Sequence, residues 1–118
     1  MKNHPFSIAM GGLAIALFAA PQFVLAAQGD LEQAISETQK AIVYGDDPHH
    51  SSSFVQHAEN AIDHAMTVQK AQPNAHIKKG ISYLRKGIKI SYDTHWVSRE
   101  RRGAAQAKKA LKQFQAAQ

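Results

Sequence analysis

The chain has 118 residues, a formal net charge of +5 and no cysteine. That length suits one small domain and not two, and the missing cysteine excludes disulfides, thiolate metal sites and thiol chemistry. Glycine and proline are sparse and fall mostly between apolar-periodic runs filled with Ala, Gln, Lys and Ile, a composition that favours helix over sheet.

The first stretch reads as an export signal. Lys2 precedes an apolar run from Phe6 to Ala20 that Pro21 breaks, and Val24-Leu25-Ala26 supplies modest side chains at a cleavage position. The run is shorter than the roughly 20 apolar residues a spanning helix needs. The expectation is a signal peptide over 1–26, a mature chain over 27–118 in the periplasm, and no stable membrane insertion of that chain.

Four helical runs follow. The first spans about Leu31 to Tyr44, with Asp30 as N-cap, Gln33 completing a capping box and Gly45 as the stop. The second spans about Ser51 to Ala71, opened by Asp47-Pro48 or Ser51 and closed by Gln72-Pro73-Asn74, which recaps the chain. The third spans about Ala75 to Ser91 and ends at Tyr92-Asp93-Thr94. The fourth spans about His95 to Ala116, with Trp96 and the tyrosines expected to pack at the bundle ends.

Small-then-aliphatic pairs recur every seven residues in these runs: Ala34-Ile35 and Ala41-Ile42, Phe54-Val55 and Ala61-Ile62, Gly80-Ile81 and Gly87-Ile88, then Ala104 and Ala110-Leu111. With the aliphatic at heptad position a, position d holds Leu31, Thr38, Ala58, Ala65, Ile77, Leu84, Ala107 and Phe114. A seven-residue apolar period specifies left-handed, coiled-coil-like packing. Four such helices with short links give an all-α, antiparallel up-down-up-down four-helix bundle.

Charge divides along the chain. From Ala27 to His76 two lysines face seven carboxylates; from Ile77 to Gln118 eleven Lys/Arg face only Asp93 and Glu100. The acidic half carries most of the histidine. His57 and His64 lie seven residues apart, both at position c, on the g side of the helix and away from the core centre. They stand about 10 Å apart along the axis, while a metal ion holds each imidazole nitrogen at about 2 Å, so they cannot chelate one ion together. Antiparallel pairing of the first two helices sets Glu37 opposite His57, Tyr44 opposite His50 and Asp30 near His64. Glu37 with His57 is the candidate two-ligand site in that groove.

The link-bearing end is richer. Asp46, Asp47, His49 and His50 form the first link, and Asp93 and His95 belong to the third, which an up-down bundle places at the same end. Imidazole with carboxylate suits Cu(II), Ni(II) or Zn(II) more than the hard ions. His76, at the other end, is expected as a capping-turn residue and a further candidate.

The His57-Ala58-x-x-Ala61-Ile62-x-His64-Ala65 heptad, Gly45, the Asn74-Ala75-His76 helix start and the Gly80-Ile81 and Gly87-Ile88 pairs together resemble the small metal-binding protein (SmbP) family. The resemblance covers Leu31 to Phe114 as pattern. It implies a periplasmic four-helix bundle that sequesters or buffers divalent copper, nickel or zinc, with Cu(II) favoured, through histidines at c positions and helix starts. His50, His57, His64, His76 and His95 match such positions. Glu37, Tyr44, Tyr83, Ile90, Gln106 and Gln113 stand where the family pattern has histidine, and Lys79 replaces another, so the implied capacity is low.

The reading is therefore an exported, monomeric metal-binding bundle without catalysis, since no catalytic triad, phosphate loop or helical Glu-x-x-His pair occurs. The alternative is an interaction module whose basic third and fourth helices meet anionic lipid, polysaccharide or an acidic partner. Nucleic acid is not expected as a partner of an exported chain.

Overall fold

The computed structural model describes residues 25–118. The expected signal peptide lies outside them except for Leu25 and Ala26. Four helices make up the described chain: α1 (Leu25–Asp46), α2 (Ser51–Ala71), α3 (Ala75–Ser91) and α4 (Val97–Ala116). There is no strand among the described residues. Each helix packs against its neighbour in sequence, and α1 closes the ring against α4. This is the four-helix bundle that the heptads specify.

The ends of the elements depart from expectation in instructive ways. Helix α1 starts at Leu25, so Asp30 is an interior residue and not an N-cap. Gly45 lies within α1, and no glycine among the described residues has positive φ. Its lack of a side chain serves packing instead: a Cβ there would fall 2.7 Å from Ala104 Cβ and 2.8 Å from the Phe54 ring. The left-handed turns are made by His49 (φ 69°) and Asp93 (φ 52°), from residue types that tolerate that region better than most. His50 is the N-cap of α2 and supplies no side-chain cap. Asn74 caps α3 as expected, its Oδ1 accepting from His76 N–H at 2.8 Å and Ile77 N–H at 3.3 Å. Helix α4 begins at Val97, with Trp96 as N-cap. Trp96 is 70% exposed and Tyr92 69%, so neither packs into the bundle end.

Burial refines the heptad. Every d position assigned from sequence is buried, and so are the small residues and Phe54 at g. The aliphatics at a are the less buried set: Val55 and Ile62 keep 8% exposure, and Ile35, Ile42, Ile88 and Leu111 are only half-buried. The core seam therefore runs between g and d, with a on one flank and c on the other. Alanine and glycine at g let the backbones approach closely and turn the seam towards them. Phe54, Phe114, Ile77 and Leu84 supply the bulk, and Phe114 fills the space that Gly80 leaves open. Thr38 sits in this core without a polar cost, because its Oγ1 donates to Ala34 C=O at 2.7 Å.

Candidate metal-binding groove

Because the seam runs between g and d, the c stripe borders the core and lines the groove between α1 and α2. The facing residues meet as the antiparallel register requires. His57 Nδ1 lies 2.9 Å from Glu37 Oε1, and His64 Nδ1 lies 2.9 Å from Asp30 Oδ1. Tyr44 stacks on His57 with the rings 5.3 Å apart and 4° from parallel, and it meets His50 at 5.7 Å in a tilted contact. Asp30, Glu37 and Tyr44 on α1 are thus answered by His64 and His57 on α2 and by His50 at its N-cap.

Glu37 is the most constrained of these groups. One oxygen accepts from His57 Nδ1–H and, at 3.1 Å, from Asn60; the other meets Lys40 Nζ at 3.1 Å. The hydrogen bond from His57 is the main reason its carboxyl is lowered from an ordinary 4.5 to about 2; burial opposes this, and Asn60 and Lys40 reinforce it. Such a carboxylate only accepts at neutral pH, so His57 Nδ1 carries the proton and the lone pair of a neutral ring resides on Nε2. His64 has the same Nδ1-to-carboxylate geometry. At the opposite end of the bundle, His76 Nδ1–H donates to Gln113 Oε1 at 2.9 Å across the α3–α4 groove. Three histidines share one arrangement, with Nδ1 held by a facing oxygen and Nε2 without a partner among the described residues.

This arrangement changes the part that Glu37 plays. Its oxygens are engaged by three side chains, so it orients His57 more readily than it binds an ion itself. A carboxylate that holds the far nitrogen of a ligating imidazole fixes its tautomer and raises its basicity. Asp30 stands in the same position behind His64 Nδ1. The antiparallel register set Asp30 near His64, and the structure bears this out; one heptad step back from Glu37 reaches Asp30, as the same step back from His57 and Tyr83 reaches His50 and His76.

The link-bearing end is drawn apart by local partners. Asp46 pairs with Lys108 of α4 at 3.1 Å, and Asp47 meets His50 Nε2 at 3.4 Å. His49, Asp93 and His95 line an open cleft of about 580 Å³ together with Glu59 and Tyr92. The links are tied to each other: Ser51 Oγ donates to Thr94 C=O at 3.0 Å, and His49 N–H donates to Glu100 Oε2 at 2.9 Å. Glu100 is 1% exposed, a buried carboxylate at a d position that the sequence reading left out. Among the described residues no group of three or more His, Asp and Glu is placed to hold a metal ion. His49, His50 and His95 share an end of the bundle without forming such a group.

An antiparallel four-helix bundle with two imidazole–carboxylate pairs held across one groove is the class that the fold and site define. A family model described as "Small metal-binding protein" matches residues 5–117, and the chain belongs to that family. No curated protein and no solved structure matches the chain significantly.

Proposed function

We propose that the chain is an exported, non-catalytic, monomeric binder of a divalent transition metal, acting as a low-capacity buffer in the periplasm. Copper(II) is the favoured ion, with nickel or zinc as the alternatives, because unhindered imidazole nitrogen suits these metals. His57 and His64 are the ligands, each through Nε2 and each to a separate ion, with solvent completing the coordination. His50 and His76 are further single-nitrogen points, and His49 and His95 face the cleft at the link-bearing end.

The observation that carries the reading is the paired Nδ1 geometry, Glu37 with His57 and Asp30 with His64, both at 2.9 Å. It pre-orients two donors and leaves each of them one nitrogen for an ion. Equilibrium dialysis or calorimetry with Cu(II), Ni(II) and Zn(II) tests it. His57→Ala and His64→Ala are each expected to remove about one ion of binding and to weaken what remains. Uptake no tighter than that of a variant lacking all the described histidines would overturn the reading.

A further inference from the structure

The seam between α2 and α3 carries a second feature that the metal groove does not use. An open groove runs there, lined by Met66 and Gln69 of α2 and by Lys78, Ile81, Arg85 and Lys89 of α3. Its floor is apolar. Met66 is 40% exposed although it is a large hydrophobic residue, the buried Ile81 lines the groove with it, and Arg85 Nη2 rests 3.7 Å from the Met66 sulfur. Its rim is cationic: Lys78, Arg85, Lys86 and Lys89 are all exposed. None of the four has a carboxylate within ion-pair distance among the described residues, where only Lys40 and Lys108 are so paired among the lysines and arginines. Residues 1–24 contain no Asp or Glu that could serve.

We infer that this groove is a docking surface for an anionic phospholipid bilayer. Four cations lie along one helix, an arrangement that meets a flat array of headgroup phosphates without any rearrangement of the fold. The methionine between them is a flexible apolar side chain placed where lipid contact would cover it. No helix among the described residues is long and apolar enough to cross a membrane, so contact of this kind is with the interface and not through the bilayer. A free polyanion would use the cations but not the methionine, and this difference separates the two.

The full chain, mixed with phosphatidylcholine vesicles with and without about 30% phosphatidylglycerol, tests the inference by co-sedimentation. The neutral vesicles carry whatever the apolar run from Phe6 to Ala20 contributes, so the quantity read is the gain on adding the anionic lipid. A gain that falls steeply as NaCl is raised to about 0.5 M is expected. The triple variant Arg85→Glu, Lys86→Glu, Lys89→Glu should lose about a hundredfold of it, since each cation near an anionic surface is worth about fivefold. Met66→Ser should lose roughly tenfold, because it removes the apolar contact without adding a charge. All four positions are exposed, so the variants should keep the wild-type helical circular dichroism. The pair Arg101→Glu, Arg102→Glu, on α4 and outside the groove, should change the gain far less. Absence of any gain, an equal loss from the α4 pair, or heparin binding that matches vesicle binding with Met66→Ser without effect would each overturn the assignment.

Discussion

At the scale of single residues, Glu37 is where fold and site meet. It sits at a half-exposed heptad position by pattern, yet it is only 9% exposed, and it holds three partners. Its folded carboxyl lies at about 2 against an ordinary 4.5. A depressed acid contributes stability that is fully present above the unfolded value and is lost as pH falls through the folded one. The loss should therefore run from about pH 4.5 down to about pH 2, with up to about 3 kcal/mol in play at about 1.4 kcal/mol per unit. Glu37→Gln should flatten the stability curve in that window and lower stability at neutral pH by about 1–3 kcal/mol, since a charge-assisted bond to His57 and the Lys40 pair are lost. Urea denaturation at stepped pH checks this, and an unchanged acid slope in the variant would refute it. The same substitution should weaken metal uptake at His57 by about tenfold or more without removing the ligand, the usual effect of losing the partner behind a ligating imidazole. Dialysis reads that separately from stability.

At the scale of the helices, the seven-residue repeat carried the bundle and the cross-groove pairs. Ala34-Ile35, Ala61-Ile62 and Gly80-Ile81 sufficed to name the helices and their antiparallel register, and Glu37 with His57 followed from the register alone. What the repeat did not carry was the rotation of each helix about its own axis. The aliphatic of each pair looks like the core residue by hydrophobicity, but the small residue beside it is the one that vanishes from solvent, because close backbone approach is decided between helices and not within one. The same blind spot hid Glu100 of α4, one oxygen of which accepts from the backbone N–H of His49 in the first link. Gly80 tests the packing argument. Replacing glycine by alanine inside a helix should help by up to about 1 kcal/mol through propensity. Here the added methyl would strike the Phe114 ring, which is fully buried and has nowhere to go. Overpacking typically costs about 1–3 kcal/mol, so Gly80→Ala should destabilise on balance, while Gly29→Ala, with nothing within 4 Å of the added carbon, should stabilise α1 by a few tenths to about 1 kcal/mol. Denaturation midpoints of the two variants should move in opposite directions.

At the scale of the whole molecule, the two hairpins divide the work. The α1–α2 hairpin is acidic and holds two imidazole–carboxylate pairs across its groove, and the α3–α4 hairpin is basic with a single imidazole held by an amide. Each imidazole–carboxylate pair bridges two helices, so a metal bound at Nε2 of His57 or His64 favours the docked α1–α2 arrangement over the unfolded chain, where the pre-oriented nitrogen does not exist. Binding to the native state alone stabilises by about 2.7 kcal/mol at a hundredfold excess over Kd. For a domain of this size that is a rise in Tm of several degrees, on the order of 10 °C. Scanning calorimetry of the protein with Cu(II), then with excess chelator, should show the rise and its reversal. It should fade as the medium is acidified, because protons compete for the same nitrogens. The decisive comparison is the double variant His57→Ala, His64→Ala. If the groove is the site, the metal-dependent rise disappears while the metal-free Tm falls only by what the two hydrogen bonds to Asp30 and Glu37 contribute. If the rise survives intact, the ion is held elsewhere, and the cleft lined by His49, Asp93 and His95 becomes the place to look.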